Sequence, residues 1–282
     1  SSVPLRQMLA RSMAPDASKR PHPLFSERIE DRRRRWQVEG HPNPYTAVAP
    51  KVGGQAYMRS LGYAVPEVYG VFPSLDEVPR FEDFPDSFVL KPSNGWSAVG
   101  VFLMHKGFDL MRQCRFTRDE LIRTVRAFPG AVGESALNGP WVAEELLLEY
   151  GGQGQAALDY KFFCFGPKVA MIQINRRTGR PEPFFYYHWY RDADWNPLRR
   201  RVNWKKYPER SELPKPPCLD EMLRIVEDVG RRLNIFVRID MYATDRGPVF
   251  GEFTGYPNDG LNYTPWCDAW LGSLWTTPDG GI

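Results

Sequence analysis

The stretch Ile235–Tyr256 reads IFVRIDMYATDRGPVFGEFTGY and predicts two β-strands joined by a tight turn. In the first strand, apolar residues alternate with Arg238 and Asp240. Because side chains two residues apart in a strand point the same way, these two residues share one face. The sequence Arg246-Gly247-Pro248 supplies the turn. Glu252 on the returning strand is then expected to face Asp240 across the hairpin.

An arginine and two carboxylates on one face of adjacent strands are costly to bury unless another group pairs with them. Phosphate with Mg²⁺ is such a group, because carboxylates hold hard cations and arginine neutralises phosphoryl oxygens. The alternative is a surface hairpin with an ordinary network of ion pairs. The hairpin alone leaves both interpretations open.

Length and composition bound the class of protein. At 282 residues the chain can bury a full core in one or two domains. The net charge of +3 does not demand a nucleic-acid partner. The four cysteines show no CxxC or Cys/His spacing, which argues against a zinc site and a disulfide framework. With no run of about eighteen apolar residues and no signal-peptide pattern, we expect no membrane span and a cytoplasmic location.

Helical patterns occur along the whole chain. They predict helices over Leu24–Gln37, Pro50–Leu61, Arg118–Phe128, Leu219–Leu233 and Trp266–Trp275. Thr117 and Glu120 form a capping box before the third of these helices. The basic run Arg32–Arg35 could contact an anionic polymer, but we expect a solvated helix face.

Short apolar runs indicate further strands, over Val65–Val71, Phe88–Lys91, Val99–Met104, Trp141–Leu148, Asp159–Phe165 and Lys168–Ile174. The loop Ser93–Ser97 follows Lys91 and contains small, polar residues that can fold over a triphosphate. A plain hairpin turn has the same composition, and the sequence has no Walker A motif. Glu144 and Glu145 interrupt one apolar run, where a carboxylate can orient a base or ribose or simply cap a strand edge. Lys161 lies on one face of an otherwise aromatic strand.

The order of these features resembles the ATP-grasp superfamily, and in particular its TupA-like branch, typified by a protein of teichuronopeptide biosynthesis. The fragments that carry the resemblance are PKVGGQAYMRSLG, VPEVYGVFPSLDEV, FVLKPSNGWSAVGVF, WVAEELL, DYKFFCFGPKV, DWNPL, VRIDMYATDRGPVFGEFTGYP and LGSLW, which cover roughly residues 40–275. The resemblance implies an α+β ATP-grasp fold, in which two α+β subdomains grip ATP between antiparallel sheets. The expected divisions are an N-terminal helical region (1–86), a small lid subdomain (87–150) and a C-terminal catalytic subdomain (151–282).

The resemblance also implies an ATP-dependent carboxylate–amine ligase that uses Mg²⁺, or alternatively Mn²⁺, and forms an amide through an acylphosphate with release of ADP and phosphate. The implied contacts are Lys51 and Lys91 with the α- and β-phosphates, the loop residues Ser93, Asn94, Gly95 and Ser97 over the triphosphate, Glu144 and Glu145 at the adenine hinge, Glu149 with the ribose, Lys161 with a phosphate or the substrate carboxylate, Arg238 with the transferring phosphoryl group, and Asp240 and Glu252 with the metal. Many family members end this motif in Glu-x-Asn, whereas this chain has Thr254 in the last position. Thr254 is a weaker ligand, and Asn258 or a water molecule is expected to substitute.

The substrates are expected to be a small carboxylate and an amine, such as an amino acid, a uronic acid or a peptide. A sugar acid could stack on a set of aromatic residues and pair with nearby arginines. That set is Trp189, Tyr190, Trp195 and Trp204 with Arg199–Arg201. Packing of the aromatics in the core and solvation of the arginines is the alternative. Two other functional classes stay open: a kinase on the same scaffold, and a non-catalytic nucleotide-binding or polymer-binding module.

Overall fold

Two antiparallel sheets organise this computed structural model, which describes residues 20–93, 100–127, 139–151, 154–178, 185–204 and 211–282. The first sheet has six strands in the order β1-β6-β2-β3-β4-β5. They are β1 (Val68–Phe72), β2 (Ser87–Pro92), β3 (Phe102–His105), β4 (Phe108–Asp109), β5 (Cys114–Arg115) and β6 (Trp141–Glu145). The second sheet has five strands in the order β11-β10-β7-β8-β9. They are β7 (Asp159–Phe165), β8 (Lys168–Thr178), β9 (Phe185–Arg191), β10 (Phe236–Thr244) and β11 (Gly247–Thr254).

All five predicted helices form, with ends shifted by a few residues. The helices are α1 (Phe25–Arg33), α2 (Tyr45–Val48), α3 (Lys51–Ser60), α4 (Arg118–Arg126), α5 (Leu219–Leu233) and α6 (Pro265–Ser273). The first continues into a π-helical turn, Arg34–Val38. The predicted capping box is present, since Thr117 Oγ1 accepts from the Glu120 amide and Glu120 accepts from the Thr117 amide. None of the helices in the described ranges combines the length and apolar character needed to cross a bilayer.

The hairpin of β10 and β11 differs from the predicted one at its turn. Thr244 pairs with Gly247, so the two turn residues are Asp245 and Arg246, and Gly247 already belongs to the returning strand. The pairing of Asp240 with Glu252 is confirmed. A β-bulge interrupts the ladder between Asp240 and the following residue.

The bulge places one extra residue, Gly251, in β11. Met241 pairs with Phe250 while Asp240 pairs with Glu252, which leaves Gly251 without an opposite residue. A Cβ atom at this position would lie 2.8 Å from the Tyr242 ring, so the close approach requires glycine.

The two faces of the five-stranded sheet are covered by different helices: α5 on one, and α1 with α6 over the apolar part of the other. One face packs against α5, where Val237, Ile239 and Met241 share a buried cluster with Met222 and Val226. The helix ends at Asn234, whose φ of 45° turns the chain directly into β10. The charged residues of β10 therefore lie on the face away from α5, as period-two alternation predicts.

The expected solvated face is confirmed for Arg34, whose side chain is 56% exposed, but it is wrong for Arg32 of α1. Its side chain is completely buried, and its guanidinium donates to the backbone carbonyls of Phe236, Gly255 and Asp279. The helix packs against α6, where Ser26 donates to Asp268 through both its amide and its hydroxyl. A run of arginines predicts a solvated helix face, because the sequence does not show that backbone carbonyls from distant segments converge on one of them.

The six-stranded sheet has its own core. Leu121 and Val125 of α4 pack against Phe88, Leu90 and Trp141. Because β1 pairs with β6, residues 68–72 of the predicted N-terminal region contribute to the same sheet as residues 87–145. The two sheets thus rest on separate cores and meet at a cleft.

Candidate active site

A cleft between the two sheets is lined by four of the predicted site residues, Lys51, Glu144, Glu145 and Glu252. Its apolar lining comes from both sheets and from the connection between β6 and β7. These residues are Val89, Leu103, Leu110, Met111, Leu146, Leu147, Ala156, Ala157, Leu158 and Tyr242. Its polar lining includes Lys51, Glu144, Asp159 and Glu252. A cleft lined by both apolar and charged groups suits a heterocyclic base attached to phosphates.

The charged groups on the five-stranded sheet form one network, which we call the sheet cluster: Asp159, Lys161, Arg238, Asp240 and Glu252. Lys161 Nζ lies 2.7 Å from an oxygen of Asp159 and also contacts Asp240. Arg238 donates from Nε and Nη2 to the two oxygens of Asp240, each at 2.7 Å, and Nη2 lies 3.1 Å from Glu252. The predicted catalytic and metal residues of β7, β10 and β11 thus meet at one place.

Burial makes the charges of the sheet cluster depend on one another. Asp240 is 1% exposed, and burial would lower the pKa of Arg238, yet the charges of Asp240 and Glu252 raise that pKa above its ordinary value. Burial would raise the pKa of Glu252, but Lys161 and Arg238 lower it below its ordinary value. The Glu252 side chain is still 49% exposed. Among the two predicted metal ligands, Glu252 is therefore the accessible one and Asp240 the enclosed one.

A second group, the lid cluster, consists of Lys51, Lys91 and Glu144. Lys91 at the end of β2 contacts Glu144 of β6, and Lys51 Nζ at the start of α3 lies 3.7 Å from the same Glu144 oxygen. Burial and then the charge of Lys51 lower the pKa of Lys91, while the charge of Glu252 opposes this change. The two lysines predicted to bind phosphates are thus brought together, and the Glu144 side chain pairs with them.

Glu145 lies on the opposite face of β6 from Glu144, as adjacent strand residues must. Its carboxylate accepts from Arg246 Nη2 at 2.6 Å and from the Glu67 amide at 3.1 Å. Arg246 is a turn residue of the β10–β11 hairpin, so this pair ties the six-stranded sheet to the five-stranded one. Both glutamates line the cleft, and their part in an adenine hinge stays a prediction.

Glu149 lies at the start of the loop between the two sheets. Its carboxylate accepts from the Leu158 amide at 2.5 Å and from the Tyr160 hydroxyl at 3.2 Å. Burial raises the pKa of Glu149, and these two hydrogen bonds oppose the rise. The predicted contact of this residue with a ribose is not tested by the geometry.

The remaining predicted residues are more dispersed. Thr254 is opposite Arg238 in the ladder. Asn258 has a left-handed backbone, and its amide donates to the Tyr263 hydroxyl at 3.5 Å. Ser93 is exposed and its amide donates to the Pro140 carbonyl. The predicted loop residues Asn94, Gly95 and Ser97 lie outside the described residues.

The donor set fits a divalent cation that arrives with a nucleotide. The described ranges contain no cluster of three or more His, Cys, Asp or Glu side chains arranged to hold a metal ion. Asp240 and Glu252 nevertheless lie opposite each other. Mg²⁺ is usually held by one or two carboxylates together with substrate phosphates. The pair therefore suits a phosphate-bound cation better than an isolated one.

One cleft residue was missed and one predicted surface is not assembled. Asp159 was not selected, although it is two residues before Lys161 and so shares its face. Trp189 and Tyr190 are 2% and 5% exposed and belong to different buried clusters, because they are adjacent in β9. Trp204 is 42% exposed. The first two aromatics are core residues and do not stack on one ligand, so for them the alternative of core packing is confirmed.

Comparisons with known proteins identify one family and several solved structures that this chain resembles. The sequence model of the TupA-like ATP-grasp family matches residues 27–276. No curated protein matches the chain. One similar solved structure is the ATP-grasp ligase PsnB with a minimal precursor, at 14% identity over 78% of this chain and 57% of that one (TM-score 0.42). Another is the D-alanine–D-alanine ligase from Bacillus anthracis, at 17% identity over 74% of this chain and 57% of that one (TM-score 0.42). A third is the L-amino acid ligase from Bacillus licheniformis, at 14% identity over 77% of this chain and 44% of that one (TM-score 0.41).

The structural and family matches differ in how much of each protein they cover. The chain spans little more than half the length of the first of those solved proteins, and less of the last. The family match, in contrast, extends over nearly the entire chain, from the helix that carries Arg32 to the last helix. The chain belongs to the TupA-like ATP-grasp family.

Proposed function

We propose that this protein is an ATP- and Mg²⁺-dependent carboxylate–amine ligase that forms an amide bond. Membership of an ATP-grasp family supports ATP-dependent ligation in general. The observation that carries the specific proposal is that the lid cluster and the sheet cluster open into one cleft, whose lining includes Lys51 and Glu144 from the first and Asp159 and Glu252 from the second.

The charges of the two clusters complement a metal–triphosphate. Among the described residues, the lid cluster has two lysines and one carboxylate, and the sheet cluster has two cations and three carboxylates. The excess positive charge suits phosphate oxygens and the excess negative charge suits a divalent cation. The apolar lining, which includes Val89 and Leu147, is then available for the adenine.

In the proposed reaction, an oxygen of the substrate carboxylate attacks the γ-phosphorus of ATP, and the bond from that phosphorus to the ADP oxygen breaks. The acylphosphate is then attacked at its carbonyl carbon by the amine nitrogen. The C–O bond to phosphate breaks, phosphate leaves with the electron pair, and the surplus proton of the amine passes to solvent. Such chemistry asks the protein mainly for positioning and charge neutralisation.

The chain's own residues supply the positioning and the charge neutralisation. Lys51 and Lys91 hold the α- and β-phosphates, and Arg238 is oriented by Asp240 toward the transferring phosphoryl group. Asp240 and Glu252 would hold Mg²⁺, which when bound neutralises charge on the β- and γ-oxygens. Lys161 lies beside them and contacts a phosphate or the substrate carboxylate. We further propose that residues 87–150 act as the lid and residues 151–282 as the catalytic subdomain.

The test is to identify the products formed from ATP and Mg²⁺ with a panel of amino acids, sugar acids and amines. The ligase predicts ADP and free phosphate only when an acid and an amine are both present. ADP with the phosphate retained on a hydroxyl would instead indicate a kinase, and AMP would rule out the acylphosphate route. No nucleotide binding at all would indicate a non-catalytic module.

A further inference from the structure

The ladder between β10 and β11 stops at the last residue of β11, two residues short of the start of β10. Its last pair is Arg238 with Thr254, and the next residues outward, toward Phe236 and Gly255, have no pair across this ladder. The guanidinium of Arg32 fills this position. Its Nη1 donates to the Phe236 carbonyl at 2.9 Å and to the Gly255 carbonyl at 3.1 Å. One side chain from α1 thus bridges the strands where backbone pairing is missing.

The surroundings hold this guanidinium in one position. It is completely buried, and its central carbon lies 4.4 Å from the Trp36 ring centroid and 4.5 Å from that of Trp275. Its Nη2 donates to the Asp279 carbonyl at 2.5 Å. Burial lowers the pKa of Arg32 to about 9, which still leaves it charged at neutral pH. A buried charge is costly, so its hydrogen bonds to three carbonyls are needed to offset the desolvation.

The bridge is close in sequence to the sheet cluster. Phe236 is two residues before Arg238, and Gly255 is three residues after Glu252. The separation of the strands at this end therefore affects the 3.1 Å approach of Arg238 to Glu252. We propose that Arg32 is a positioning residue for the reaction, because it replaces a rung of the ladder and so sets the spacing of Arg238 and Glu252. This inference rests on the proposed function.

The test compares Arg32→Lys with Arg34→Met and Val125→Ala. Lysine keeps the charge but cannot bridge both carbonyls in the planar geometry of a guanidinium. Arg34 is an exposed residue adjacent to the same helix, whereas Val125 is buried in the core of the other sheet. The last variant therefore reports what a loss of stability alone does to activity.

For Arg32→Lys we expect a decrease in kcat of about 10- to 100-fold, since a displacement of about 1 Å has this effect. The KM for ATP should change less than about twofold, because the lid cluster is not touched. The concentration of Mn²⁺ that half-saturates the protein–ADP complex, measured by electron paramagnetic resonance, should rise by a similar factor to the fall in kcat. Arg34→Met should match the wild type in all three measurements.

Two results would overturn the proposal. One is Arg32→Lys with wild-type kcat and Mn²⁺ affinity. The other is Val125→Ala, at an equal loss of Tm, losing as much kcat as Arg32→Lys. If Arg32→Lys does not fold, Trp36→Leu keeps Arg32 but removes one stacking ring and the indole hydrogen bond to the Asp279 carboxylate. The same pattern is then expected with smaller changes. A wild type that binds Mn²⁺–ADP but forms no amide would refute the ligase and leave the metal measurement usable for Arg32.

Discussion

The lid cluster and the sheet cluster use the same residue types but balance their charges in opposite ways. In the lid cluster a single carboxylate, Glu144, is shared by Lys51 and Lys91. In the sheet cluster Asp240 is shared by Lys161 and Arg238, and two more carboxylates lie beside it. Within the described residues, the lid cluster therefore has an excess of positive charge and the sheet cluster an excess of negative charge. The difference predicts separate roles, with phosphate at the lid and metal at the sheet.

The largest effect is expected for Asp240→Asn. The amide removes the charge that orients Arg238 and pairs with Lys161, and it removes one carboxylate from the metal site. We expect ADP release with substrates to fall by about 10³-fold while the circular dichroism spectrum stays that of the wild type. Asp220→Asn, at an 81% exposed position on α5, is the matched control. Near-normal turnover by Asp240→Asn would remove the distinction between the two clusters.

A smaller effect, specific to the metal, is expected for Glu252→Gln. The low pKa of Glu252 keeps it charged at neutral pH, and its exposure leaves it free to meet a cation. The Mg²⁺ concentration for half-maximal rate should rise about 10- to 100-fold, and the affinity for metal-free ATP should be unchanged. Glu221→Gln on α5 provides the comparison. An unchanged Mg²⁺ requirement would place the metal elsewhere.

Lys91→Ala should affect the nucleotide rather than the metal. Loss of a charge-assisted contact costs about 1.5–3 kcal/mol, which corresponds to ATP binding weaker by roughly 10- to 100-fold. Isothermal titration with ATP measures it directly. The exposed Lys168, at the far end of the other sheet, is the control, and Lys168→Ala should bind ATP normally. Equal affinities for the two variants would contradict the phosphate role of the lid cluster.

The smallest expected effect is on stability: Glu149 and Glu252 should contribute to the free energy of unfolding with opposite dependence on pH. The raised pKa of Glu149 means that the folded state binds its proton more tightly than the unfolded state. Its stabilisation is present at low pH and is lost as the pH rises through the raised value, at about 1.4 kcal/mol per pKa unit. Glu252 has a lowered pKa, so its contribution is present above about pH 4.5 and is lost on acidification. Urea unfolding between pH 3 and 8 gives the free energy of unfolding of the wild type, Glu149→Gln and Glu252→Gln. The difference between wild type and variant should change with pH in opposite directions for the two variants. Parallel slopes would contradict the assignment.

The sequence was sufficient for features that depend on local period. Alternation in β10 correctly placed Arg238 and Asp240 together, away from the apolar residues that pack against α5. The amphipathic helix Leu219–Leu233 and the capping box at Thr117 were confirmed to the residue. The same alternation, applied to β7, the neighbour of β10 in the sheet, would have included Asp159 with Lys161. The strands β4, β5 and β9 were not predicted, since their sequences lack a clear apolar period.

Features that depend on distant segments could not be obtained in this way. Arg32 is buried because three carbonyls from residues more than 200 positions away converge on it. Glu145 faces Arg246 for a similar reason, since the pair joins two sheets. The aromatic residues Trp189 and Tyr190 were grouped by composition, whereas adjacent strand positions point to opposite faces. Composition alone does not show which face of a sheet a side chain occupies.

The bulge at Gly251 determines on which face of the sheet the side chain of Glu252 lies. Counted from the turn, the pairs Tyr242–Val249 and Met241–Phe250 would lead, in a ladder without a bulge, to Glu252 opposite Ile239. Ile239 is fully buried beneath the sheet, so the carboxylate would point into the apolar core. The single inserted glycine shifts the pairing register by one residue, so that Glu252 lies opposite Asp240 and on the same face. The second acidic group of the site is thus specified by the number of residues in the strand as much as by their identity.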